Sequence, residues 1–137
     1  MNEREEVVRG AIEAFNAGDM SRVVEYVHPE MMLRQLLPEV GLTSHESVTG
    51  VYRGSAEVER ALSDAVDSFG GMRFEIRWVE EIGDDGALYE LLALIGPKTE
   101  QSAQIAWYLS RFRDGLVLST TAFNTEAMAR EAIARGD

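Results

Sequence analysis

Between positions 3 and 17 the apolar residues Val8, Ile12 and Phe15 recur at i, i+4 and i+7, with Val7, Ala11 and Ala14 beside them, a spacing that predicts an amphipathic helix. Gly18 is its stop, and Asp19 is an N-cap for a second, short helix carrying Val23, Val24 and Val27. His28 precedes Pro29, which drives it out of the helical region. Residues 31–37 then read as a strand, and residues 38–50, rich in Gly, Ser, Thr and Pro, as a loop. Ser55 is expected to cap a third helix, whose Val58, Ala61, Leu62, Ala65, Val66 and Phe69 form the cleanest apolar stripe in the chain, ended by Gly70-Gly71.

From there the period shifts from helical to alternating. Phe74, Ile76 and Trp78 alternate with Glu75, Arg77 and Val79, so strands begin. Asp84-Asp85-Gly86 is a turn, 87–95 a second strand, Gly96-Pro97-Lys98 a turn and 102–113 a third strand. Asp114-Gly115 is the strongest hairpin signal, 116–123 the fourth strand, and Asn124 or Thr125 caps a last helix with Met128 and Ile133 inside. Helices followed by an antiparallel meander indicate an α+β fold. With 137 residues and no linker or repeat, the whole chain, 1–137, is expected to be one domain.

Composition narrows the function classes. Thirteen basic against twenty-four acidic side chains give a net charge of −11, a surface that repels phosphate backbones and anionic headgroups, so neither nucleic acid nor membrane is an expected partner. The absence of cysteine excludes thiolate nucleophiles and cysteine-held metals. The acidic start, Met1 to Glu6, precedes no long apolar run, so a cytoplasmic protein is expected. No phosphate loop, nucleotide fingerprint or nucleophile elbow occurs, and no cofactor is expected.

Ala14-Phe15-Asn16-Ala17-Gly18-Asp19, then His28-Pro29-Glu30, Tyr52-Arg53-Gly54, the run from Trp107 to Gly115 and finally Phe123 resemble, in order and spacing, the nuclear transport factor 2 superfamily, and within it the SnoaL-like branch. The resemblance implies a cone: a strongly curved antiparallel sheet wrapped around amino-terminal helices, with an internal pocket. That fold hosts ketosteroid isomerases, polyketide cyclases, epoxide hydrolases, dehydratases and non-catalytic subunits, so it does not choose among activities. The positions that correspond to the isomerase tyrosine and two aspartates hold Ala11, Tyr108 and Gln35, so no proton-shuttling carboxylate survives there. The Asp-Arg-Asp network of the epoxide hydrolases finds no two strand aspartates, and the aspartate usual in the cyclase branch is Asn124 here.

Anchored on that resemblance, strand alternation gives each residue a face. Leu88, Glu90, Leu92 and Leu94 with Gln104, Ala106, Tyr108 and Ser110, then Leu118, Thr120, Ala122 and Asn124, are placed inside the cone. Tyr89, Leu91, Ala93, Ile95, Ile105, Trp107, Leu109, Arg111, Val117, Ser119, Thr121 and Phe123 are placed outside. The outer set is as apolar as the inner one, which predicts a homodimer built sheet to sheet.

Glu90 interrupts an otherwise apolar strand. Buried, it is a candidate general acid or base, with Tyr108 or Gln104 steadying a developing oxyanion. The alternatives are that Glu90 pairs with Arg34 or Arg77 and that Tyr108 is a core tyrosine. Gln35, Gln104, Ser110, Thr120 and Asn124 are candidate ligand contacts. His28 and His45 lack a second histidine at ligand spacing, so no metal site is expected. Two functions fit: a cofactor-independent isomerase, cyclase or dehydratase that moves a proton on an apolar, carbonyl-containing small molecule, or a non-catalytic ligand-binding or scaffold module of the same fold.

Overall fold

The computed structural model describes residues 3–34 and 51–136. Helices α1 (Glu3–Asn16) and α2 (Met20–Val24) lead into β1 (Val27–Arg34); β2 (Val51–Arg53) and α3 (Ser55–Phe69) follow. Strands β3 (Met72–Ile82), β4 (Gly86–Ile95), β5 (Ser102–Arg113) and β6 (Leu116–Phe123) precede α4 (Glu126–Ala134). The strands form one curved, unclosed sheet in the order β2-β1-β6-β5-β4-β3. It is mixed, because β1 runs parallel to β6 while every other neighbouring pair is antiparallel.

Local chemistry explains the boundaries. Gly18 at φ +77° ends α1, and the Asp19 side chain accepts from the Arg22 backbone N–H to start α2. Asp114 and Gly115, both at positive φ, form the two-residue turn between β5 and β6. Ser55 does not cap α3. The N-cap is Gly54, at φ +87°, whose N–H reaches the Met31 carbonyl at 2.7 Å, a backbone position that a side chain resists. Strand β1 starts at Val27 rather than 31, running through Pro29, and its register against β6 breaks between Val27 and Met32 around that missing donor. Thr125, not Asn124, caps α4 by accepting from Met128 N. The residues that α4 buries are Ala129 and Ala132, with Met128 45% exposed.

Helix α1 is pinned to β3 at both ends. Asn16 donates to the Phe74 carbonyl at 2.8 Å and accepts from Phe74 N at 2.9 Å, with the Phe15 and Phe74 rings 5.2 Å apart beside this pair. At the other end Arg4 donates to the Ile82, Gly83 and Gly86 carbonyls and pairs with Glu81 at 2.9 Å. Gly10, an unfavourable residue in mid-helix, lets the Tyr26 ring lie close against α1, since a Cβ there would stand 2.6 Å from the ring and push it aside. The helix thus lies across the inner face of the sheet and closes the core.

Strand pairing corrects the faces assigned to β4. Residues opposite one another share a face, and Tyr89 stands opposite Tyr108, Leu91 opposite Ala106 and Ala93 opposite Gln104. Tyr89, Leu91, Ala93 and Ile95 therefore point into the core, all buried, while Leu88, Glu90, Leu92 and Leu94 point out. Leu118 also moves outward, because the register shift beside Arg111 and Phe112 turns Val117 in. Part of the outer face is covered by the chain itself: α4 contacts β5 and β6, Arg130 pairs with Glu80 of β3 at 3.1 Å, and Leu88 and Leu109 are 0% and 4% exposed. The Arg130 hydrogen bond holds the Glu80 carboxyl below its usual value.

Candidate functional site

The inner face carries a line of hydroxyls. Tyr89 Oη lies 2.8 Å from Ser110 Oγ, which lies 2.8 Å from Thr120 Oγ1, so the three side chains cross β4, β5 and β6 in one buried chain. Ser110 faces Thr120 across one ladder and sits one row from Tyr108 on its own strand. The Tyr108 ring stacks on that of Tyr89, centroids 5.7 Å apart at 13°, and meets Phe74 edge-on at 6.2 Å. Burial raises the pKa of both phenols, that of Tyr108 well above its ordinary value, with Tyr89 adding to the rise at Tyr108. Both remain protonated donors at neutral pH.

Tyr89, Tyr108 and Thr120 border a cavity of about 100 Å³ between the sheet and the helices, walled also by Phe15, Leu62 and Phe74 among others. Among the described residues its wall holds hydroxyls and apolar groups but neither a carboxylate nor an imidazole. It is smaller than the few hundred Å³ usual for small-molecule sites.

The SnoaL-like domain family matches residues 8–119. The chain belongs to the SnoaL-like family. Solved structures agree on the nuclear transport factor 2-like fold. An NTF2-like protein of unknown function from Burkholderia pseudomallei superimposes with TM-score 0.75 at 18% identity over 96% of this chain and 97% of that one. TerC, co-crystallised with polyporic acid, gives 0.73 at 19% over 97% and 99%. A Mycobacterium tuberculosis protein in complex with estradiol-17beta-hemisuccinate gives 0.74 at 9% over 93% and 98%. At such identities the likeness is one of fold. No curated protein matches the sequence.

The sequence-predicted residues of this SnoaL-like protein separate. Tyr108, Ser110 and Thr120 do meet on the inner face. Glu90 does not join them. It stands opposite Trp107 on the outer face, where Trp107 Nε1 donates to Glu90 Oε1 at 2.8 Å and Arg77 Nε lies 2.9 Å from Oε2. The reason is physical: outside, a guanidinium and an indole N–H satisfy a carboxylate that the apolar interior would leave unpaired. The pairing with Arg77 considered from sequence is the one found. Gln104 and Asn124 are half-buried, and Gln104 Nε2 and Asn124 Oδ1 find no hydrogen-bond partner among the described residues. Gln35 and His45 lie outside the described residues. His28 Nδ1 accepts from Glu30 N at 3.0 Å, a local turn contact.

Tyr89 is the participant that sequence reasoning missed. The signal was available: with Glu90 turned outward, its neighbours on β4 turn in. Among the described residues no group of His, Asp and Glu is arranged to hold a metal, and no helix is long and apolar enough to cross a membrane.

Proposed function

We propose that the protein is a small-molecule pocket protein of the SnoaL-like family, working as one unit over residues 1–137, whose inner cavity takes the apolar head of a ligand and hydrogen bonds its oxygen without abstracting a proton. The observation that carries this reading is the cavity wall, where Tyr89, Tyr108 and Thr120 are set among apolar side chains. Hydroxyls at neutral pH donate to a carbonyl or accept from an alcohol, whereas proton abstraction beside a carbonyl needs a base near the operating pH. Glu90, the residue considered for that step, faces the other way. Gln104 Nε2 and Asn124 Oδ1, a donor and an acceptor without partners among the described residues, lie outside the cavity wall and are candidate contacts only for a part of the ligand that extends beyond it. The two relatives crystallised with polyporic acid and with estradiol-17beta-hemisuccinate make a ligand with an apolar ring system a reasonable class.

Cyclohexanone, a compact apolar ketone, is the probe. NMR titration should shift resonances of Tyr108, Ser110 and Thr120, and Val58→Phe, which fills the cavity from α3, should abolish those shifts while the circular dichroism spectrum persists. In D2O the α-protons of the ketone should exchange no faster with the parent than with Val58→Phe. Faster exchange with the parent would replace this reading with catalysis by proton transfer, and shifts that survive Val58→Phe would place the ligand elsewhere.

The same proposal includes a homodimer through the outer sheet face, now restricted to the strip that α4 leaves uncovered. Ile105 is 41% exposed there, with Leu92, Leu94 and Trp107 half-buried around it. An isologous two-fold pair is the commonest way to cover such a strip.

A further inference from the structure

A second concavity, larger than the inner cavity, lies on the outer face of the sheet. It is a groove of about 670 Å³ between β1, β5, β6 and α4. Strand register lays out its floor: Leu109 stands opposite Thr121, which stands beside Arg34, while Arg111 stands opposite Ser119, which stands beside Met32. Arg113 enters from the end of β5 and Arg135 from the end of α4. Leu109, Leu118 and Phe123 make the floor apolar.

In a chain of net charge −11, four of thirteen basic residues surround this one groove, against the single carboxylate of Glu30. Asp85 engages Arg111 Nη1 at 3.2 Å, from outside the groove lining. Arg34 Nε contacts Met32 Sδ at 3.2 Å, which lays its side chain along the strand. Among the described residues neither Arg34 nor Arg113 has a carboxylate at ion-pairing distance. The field of the rest of the molecule repels anions, so this concentration of guanidinium groups over an apolar floor is a local reversal with a shape to match.

We propose that the outer groove binds a small amphipathic carboxylate, its acid group held by Arg34 and Arg113 and its hydrocarbon body laid on Leu109, Leu118 and Phe123. Guanidinium groups offer paired N–H donors in the geometry of a carboxylate and stay charged at any working pH. The apolar floor contributes what an inorganic anion cannot use.

Sodium octanoate is the probe, titrated by calorimetry and by NMR on the full chain, with 1-octanol and inorganic phosphate as comparisons. Octanoate should shift Ser119, Thr121 and Phe123. The exposed double variant Arg34→Gln/Arg113→Gln should weaken it by roughly tenfold, by the strength of two partly exposed ion pairs. That variant should leave cyclohexanone binding in the inner cavity unchanged, and Val58→Phe should leave octanoate binding unchanged, so the two sites fail independently. Equal binding of 1-octanol would make the groove a merely apolar surface, and equal binding of phosphate would make it a general anion site. An affinity that falls as protein concentration rises would give the groove to a second copy of the chain. Any of these three results, or an unchanged affinity in the double variant, overturns the proposal.

Discussion

Removing the middle hydroxyl of the Tyr89–Ser110–Thr120 chain should cost more than removing either end. Tyr89→Phe deletes one oxygen and leaves Ser110 bonded to Thr120; Thr120→Val does the same from the other side, with little change of volume. Each should destabilise by about 1–2 kcal/mol, the net worth of one buried hydrogen bond plus part of the desolvation of its stranded partner. Ser110→Ala removes two hydrogen bonds at once at a position that is 0% exposed, where water cannot substitute, and leaves the Tyr89 and Thr120 hydroxyls only each other, so about 2–3 kcal/mol is expected. For a chain of this size that separates the variants by roughly 4–10 °C in melting temperature. Urea titrations give the free energies directly, provided the slope with denaturant stays constant across the set. The double variant Tyr89→Phe/Thr120→Val should depart from additivity, because the two hydroxyls share Ser110 and also meet each other. If Ser110→Ala proves no more destabilising than Tyr89→Phe, the three hydroxyls do not form one chain, and the inner face of β4 is misassigned with them.

Alkaline pH provides an independent check on the two tyrosines: their pKa values are raised on folding, so the unfolded chain loses protons first, and stability should be intact below pH 10 and fall above it. Urea midpoints between pH 8 and 11 should show that decline, flattened in Tyr108→Phe, and ordinary titration of every phenol near pH 10 in the folded protein would contradict it. Gly18→Val should lower stability by about 1–2 kcal/mol through backbone strain alone, since φ is +77° and a Cβ there would meet nothing within 4 Å; an unchanged melt would show that the backbone relaxes freely. Sedimentation equilibrium should return a dimer for the parent and a 15.2 kDa monomer for Trp107→Glu, which sets a second carboxylate against Glu90; a monomeric parent refutes the sheet-to-sheet pair.

Much of the fold was legible because its punctuation is chemical. Gly18, Gly70 and Asp114-Gly115 mark boundaries where the backbone must enter the left-handed region, and strands β5 and β6 lie where their alternation placed them. Two features were not legible for a definite reason. The parallel pairing of β1 with β6 brings residues some ninety positions apart together, and nothing local encodes it. The capping of α3 by Gly54 rather than Ser55 depends on a backbone contact with Met31, also remote in sequence.

The candidate site turned on one residue of register. Because side chains alternate along a strand, assigning Glu90 to the interior forced Tyr89 out, and with it the one partner that organises Ser110 and Thr120. Both faces of β4 are apolar, so hydrophobicity could not choose between the two registers. The charge could have chosen. A carboxylate facing inward would need a cation from the core, and every arginine in the chain lies on an element end, a strand's outer row or a helix's exposed side; facing outward, Glu90 meets Arg77 across the neighbouring strand and the indole of Trp107 across the other. The electrostatic partner therefore fixes the register, the register puts Tyr89 beside Tyr108, and the pair of stacked phenols, rather than a carboxylate, becomes the chemistry that the inner cavity can offer a ligand.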